Sequence, residues 1–200
     1  MSRPALNKSS LKIERDYLSL YQQYLPSLDL KRQQFLGLVR AEEDHLKEIK
    51  HSLDQKLRDA DDLFPFLANQ EIGLNGLVML KSLEIRQENQ LGVSLPRLAD
   101  VTFDVQDYSI FQKPLWVDGL VGLLHEVCRL TCEKRIVEKR IVLLRAELHT
   151  ITQRVNLFDK VLIPSAKENI REIGIALADM ERAGVVRAKI TKKKRQLRGA

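Results

Sequence analysis

The chain has little of what compact mixed folds are built from. Nine glycines and six prolines among 200 residues are too few for a loop-rich all-β protein, and aromatics make up only 6%. The two cysteines, Cys128 and Cys132, stand four residues apart. A pair so close cannot staple a fold, which excludes a disulfide framework and fits reduced thiols in a cytoplasm. No stretch approaches the roughly 18 uncharged apolar residues that a membrane span needs. Met1-Ser2-Arg3-Pro4 leads into no apolar run, so no signal peptide is expected. These absences predict a soluble protein with no direct membrane insertion, attached at most to the periphery of a membrane complex. There is no G-x-x-x-x-G-K-[ST] loop and no nucleophile–base constellation. Neither catalytic residues nor a cofactor site is therefore expected.

What is present is Leu, Ile and Val set among many charges, with 30% of residues charged. The apolar residues recur at alternating steps of three and four. From Leu11 the positions are Leu18, Tyr21, Leu25, Leu28, Phe35, Val39, Leu46, Ile49, Leu53, Ala60, Leu63 and Leu67, interrupted only by Glu14, Arg32, Glu42 and Lys56. A second lattice runs Leu120, Leu123, Val127, Leu130, Lys134, Val137, Ile141, Leu144, Leu148, Ile151, Val155, Phe158 and Leu162. Its phase slips near Pro164 and resumes at Ile170, Ile173, Leu177, Met180 and Gly184. A mean step of 3.5 keeps one seam turned toward a partner helix in a left-handed supercoil. Helices over 11–67 and 118–195 would be rods of about 85 Å and about 115 Å, neither able to bury its stripe alone. The pattern predicts a mainly α fold, a long antiparallel two-helix coiled coil. Its first helix is expected over 8–70 and its second over 118–195, in one elongated domain of residues 1–200. Pro26 should kink the first helix or mark its start, and Pro164 should kink the second, giving curved rods.

Residues 71–117 read differently. Asn69, Gly73, Asn75 and Gly76 punctuate the chain. Leu83 and Ile85 then alternate with polar residues, as do Val93 and Leu95, with Glu88-Asn89 between them; Val101, Phe103 and Val105 alternate again. This predicts a short central β-hairpin, marginal alone in water, that must lean on the helices or on a partner.

Several stretches resemble the D subunit of the V-type and A-type ATPases. They are Thr152-Gln153-Arg154-Val155-Asn156, Val161-Leu162-Ile163-Pro164, Asn169-Ile170 and Met180-Glu181-Arg182, with Leu6-Asn7-Lys8, Leu30-Lys31-Arg32-Gln33-Gln34-Phe35-Leu36 and the hairpin segment Gln87–Pro96. Asn7 stands where the family usually has Thr, Gln153 where Arg is frequent, and Pro26 where proline is usually missing. The resemblance implies a non-catalytic central shaft of a rotary ATPase, coupling ATP hydrolysis or synthesis to ion translocation. Its implied partners are the catalytic A and B subunits, the F subunit, and a socket subunit of the C/d type above the membrane rotor ring. Partner-binding residues implied by it are Leu83, Ile85, Val93 and Leu95 of the hairpin, Arg154, Asn156 and Arg182, and the basic Lys189, Lys192, Lys193, Lys194 and Arg195.

Other features point elsewhere, and less strongly. His125, Cys128 and Cys132 share roughly one helix face, but a fourth zinc ligand is missing nearby, so no metal is expected. The tail lacks interleaved aromatics, so no nucleic acid is expected. His45, His51 and His149 have no partner evident in the sequence. A coiled-coil adaptor of another ATPase, such as a secretion export apparatus, shares the two-helix pattern but lacks the central hairpin.

Overall fold

The computed structural model describes residues 4–63, 78–105 and 116–198. The elements are α1 (Lys8–Leu63), β1 (Val78–Gln90), β2 (Val93–Val105), α2 (Trp116–Leu157), a π-helical turn (Phe158–Leu162) and α3 (Ile163–Arg198). The fold is mainly α with one two-stranded antiparallel hairpin. The stretch of the expected first helix beyond Leu63, and the punctuators Asn69 to Gly76, lie outside the described residues.

Asn7 starts α1. Its Oδ1 accepts the Ser10 N–H at 2.6 Å and its carbonyl accepts the Leu11 N–H at 3.1 Å, which makes it the N-cap. The helix then runs unbroken through Pro26, so that proline is not the helix start. Every lattice position of α1 from Leu11 to Ala60 is buried or half-buried, including Glu14, Arg32, Glu42 and Lys56. The same holds for the second lattice from Leu120 to Leu162. The 3-4 spacing therefore marks the packed seam directly.

The chain divides into two compact units, Gln33–His149 and Met1–Arg32 with Thr150–Ala200. In the first, α1 and α2 run antiparallel. Ile49 and Leu53 of α1 pack with Val137 and Ile141 of α2 in one buried cluster, flanked by Leu46, Val127 and Leu130. Ion pairs border it on both sides. Lys56 meets Glu126 at 2.6 Å, which raises the lysine pKa through the hydrogen bond first and the charge second. Arg145 meets Glu43 at 2.5 Å. Phe35 and Leu144, at 1% and 0% exposure, are the most completely enclosed helical side chains of this unit together with Val117.

In the second unit α1 meets α3 and the π turn. Tyr21 packs edge-on against Phe158 with ring centroids 5.5 Å apart, Asn169 donates to Glu14 at 3.2 Å, and Lys8 lies 3.8 Å from Glu181. The seam here is Ile151, Val155, Ile163, Ala166 and Ile173, all buried. Beyond Phe158 each buried position falls one residue later than an unbroken lattice would place it. The π turn supplies that extra residue: the Ile163 N–H reaches back to the Phe158 carbonyl, five residues away. The phase slip is thus a one-residue insertion absorbed in a single widened turn, just ahead of Pro164, whose nitrogen has no proton to give.

The hairpin turns at Leu91-Gly92, with φ of 53° and 91°, three residues later than the Glu88-Asn89 expected from the sequence. Positive φ at both central residues gives the twist of a type I′ turn. Asn89 remains in β1 and its Oδ1 accepts the Gly92 N–H at 2.9 Å. The register slips at Lys81 in β1 and again at Ala99 in β2, so the two bulges cancel.

Candidate functional site

The hairpin is seated by its second strand. Leu95 is fully enclosed and Pro96 is buried, whereas Leu83 and Ile85 on β1 stay 39% and 46% exposed. Val93 is half-buried. Leu95 therefore serves the chain's own core and offers nothing to an outside surface. Toward the base of the strand, Phe103 stacks on His125 at 5.1 Å. An open groove of about 430 Å³ remains between Leu80, Leu83 and Ile85 on one side and Cys132 and Ile136 of α2 on the other.

Arg140 holds the seat together, and it is the one charged residue buried among the described residues, at 8% exposure. Its Nε and Nη2 donate to the Glu42 carboxylate at 3.0 and 2.5 Å, and its Nη1 donates to the Pro96 carbonyl at 3.3 Å. Glu88 of β1 lies 3.8 Å away. One guanidinium so links α1, β1 and β2. Removing one partner of such a pair costs about 3–5 kcal/mol, because the other charge is left buried. The sequence reading missed this contact, though a signal was present: Glu42 interrupts the apolar seam, and a charge there needs an opposite one across the antiparallel pair.

The remaining expected residues lie in the other unit. Asn156 is half-buried and, with Leu25, Pro26, Asp29, Arg32, Val155, Asp159 and Lys160, lines a cavity of about 520 Å³ beside the π turn. Arg154 is exposed one turn before it. Arg182 is exposed and lies 3.5 Å from Asp179. Lys189, Lys192, Lys193, Lys194 and Arg195 are all exposed. The whole of α3 from Glu181 to Leu197 is exposed, including Val185, Val186, Ile190 and Leu197 at 55, 54, 51 and 73%. Met180 is also exposed, so the seam of α3 ends at Leu177 and does not reach the expected Met180 and Gly184.

Two histidines have neighbours that the sequence did not reveal. His45 Nε2 lies 3.4 Å from Glu133 across the helix pair, and His51 Nε2 lies 3.0 Å from the Gln55 amide. Cys128 and Cys132 are free and half-buried. Burial, and secondarily the neighbouring Cys132, pushes the Cys128 thiol above its ordinary value. Among the described residues no group of three or more His, Cys, Asp or Glu is placed to hold a metal, and no helix is long and apolar enough to cross a membrane.

These features define a class: an antiparallel helical-pair protein whose chemistry-bearing side chains stitch elements together and whose exposed surfaces among the described residues include a β1 face and a basic terminal helix. Comparison with known proteins places it further. Residues 10–193 match the family model for the D subunit of ATP synthase. The chain is 35% identical over 193 residues to the V-type ATP synthase D subunit of Borreliella burgdorferi, covering 96% of this chain and 95% of that one. It is 31% identical to the protein of the same name from Chlamydia muridarum, covering 98% and 97%. The Chlamydia pneumoniae counterpart is 30% identical, with 98% and 94% covered. The chain belongs to the family of ATP synthase D subunits.

Proposed function

We propose that this chain is the central rotor shaft of a V/A-type rotary ATPase, a non-catalytic subunit. It couples ATP hydrolysis or synthesis in a hexamer of catalytic A and B subunits to ion translocation across the membrane. The observation that carries this reading is the seam, in which no lattice position of α1 from Leu11 to Ala60 is exposed, within a chain that matches the D-subunit family over 10–193. A shaft must resist twisting, and interlocked apolar side chains resist it because rotation of one helix against the other unseats them. Charged outer faces keep contacts with a surrounding bearing wet and individually weak.

In this reading residues 1–200 act as one elongated domain. The exposed basic stretch with Arg182, Lys189, Lys192, Lys193, Lys194 and Arg195 meets the A/B hexamer, and Arg154 and Asn156 contribute beside the π turn. Leu83 and Ile85 on one face of the hairpin and Val93 on the other meet the F subunit or the socket subunit, and the complex sits peripherally on the membrane. Affinity purification of the tagged chain from its source cell tests the proposal. Co-elution of A, B and F subunits is the expected result; a chain recovered without A and B from cells that express them overturns it.

A further inference from the structure

The hairpin rests on the helices at its middle through Leu95, Pro96 and Arg140, with open space on either side, and near its base through the Phe103–His125 stack. On one side lies the groove between β1 and α2, of about 430 Å³, which ends at Cys132 and Ile136. On the other is a cavity of about 370 Å³, walled by Glu42, His45, Glu88, Arg97, Glu133 and Arg140. Between them sit Leu95 and Pro96, both buried, and the Arg140 guanidinium that grips Glu42 and the Pro96 carbonyl. The helical pair has its own enclosed cluster of Ile49, Leu53, Val137 and Ile141, to which no hairpin residue contributes. The apolar zipper of the helices thus lies apart from the hairpin seat, and the Arg140–Glu42 pair is where the two meet.

From this geometry we infer that Arg140 is the positioning residue of a latch, and that the hairpin leaves its seat as a unit while the helical pair stays zipped. Closed, the latch keeps Ile136 at 8% exposure beneath the hairpin. Open, it bares Ile136 and Cys132 together with Leu95 and Pro96 of β2. A two-stranded hairpin is marginal in water on its own, so the released hairpin also loses protection of its ladder amides. The latch is a property of the isolated chain, and its operation is measurable without any other protein.

Cys132 is a built-in reporter, because it lines the groove that opening would expose. The test compares iodoacetamide labelling of Cys132 in the full-length Cys128→Ala chain with the same chain carrying Arg140→Met, or Arg140→Met with Glu42→Gln. The double variant removes both charges, leaves no buried carboxylate stranded, and is expected to restore most of the thermal midpoint lost in the single variant. Both variants should label about tenfold faster, with unchanged far-ultraviolet helical signal and faster exchange of the amides of Gln87–Gln90 and Val93–Leu98. Deuterium uptake at Ile49–Leu53 and Val137–Ile141 should stay at the parent rate. Restored stability in the double variant with parent-like labelling would overturn the latch. Uptake at Ile49–Leu53 that accelerates in step with the hairpin would overturn it too, since Arg140 would then be holding the helices rather than the hairpin.

Discussion

At the scale of single residues, the chain spends its polar groups on fixing where elements begin and meet. Asn7 replaces a threonine expected from the family resemblance, yet its side chain caps α1 through the Ser10 N–H. Asn7→Ala should therefore lower stability by about 1 kcal/mol, read as a lower denaturation midpoint. Cys128 illustrates burial acting on chemistry. Its thiol holds the proton more tightly than usual, because the thiolate would be partly desolvated and would face Cys132. The thiolate is the nucleophile, so in a Cys132→Ala chain iodoacetamide should modify Cys128 slowly at neutral pH. Its labelling should rise with pH along a curve displaced to the alkaline side of a free thiol in a short peptide. By the same linkage the unfolded thiol ionises first, so this group favours unfolding once the pH climbs through its unfolded value. Glu42 and Arg140 were legible only by half. The sequence exposes Glu42 as a charge in an apolar seam, but Arg140 falls beside the lattice, between Val137 and Ile141, where a solvated arginine is the ordinary reading.

At the scale of elements, spacing proved readable and hydrogen bonding did not. The lattice from Leu11 to Ala60 and from Leu120 to Leu162 coincides with what is packed, because a 3-4 rhythm is itself a statement about which side of a helix faces its partner. The slip near Pro164 was equally visible as a change of phase. Its form as a π turn was not, because periodicity counts residues and says nothing of which carbonyl each N–H finds. Removal of the extra residue should therefore be tolerated. With Lys160 deleted, Phe158, Ile163, Ala166, Ile170, Ile173 and Leu177 fall on one unbroken lattice. Circular dichroism should show helical content retained, whereas deletion of Lys139 in regular α2 should cause a much larger drop in thermal midpoint. The hairpin turn was misplaced for a different reason. Leu91-Gly92 is not one of the Asn-Gly or Asp-Gly pairs that announce a type I′ turn, and leucine at a φ of 53° works against the Cβ sterics of the left-handed region. Leu91→Asn should stabilise the hairpin by roughly 0.5–1 kcal/mol, visible as slower amide exchange at Asn89 and Gly92.

At the scale of the whole molecule, the proposed function divides stability and assembly between different residues. The seam supplies the first, while the basic stretch of α3, exposed from Glu181 to Leu197, contributes little to the free chain. Changing Lys192, Lys193, Lys194 and Arg195 together to Gln should leave the thermal midpoint unmoved. Binding to a reconstituted A/B hexamer at physiological salt should fall sharply, and a parent-like affinity would remove the tail from the proposed bearing. Family membership was legible in the sequence because its motifs touch both helices and the hairpin. The exposed end of α3 was not, since Val185, Val186 and Ile190 are as apolar as any seam residue and only the loss of their partner distinguishes them. A solitary helix frays quickly, and this one carries Arg187, Lys189, Lys192, Lys193, Lys194 and Arg195, each a bond that a trypsin-like protease can cut. Limited trypsin digestion of the free chain should therefore cut there first, and a chain held in the proposed complex should be cut more slowly at the same bonds.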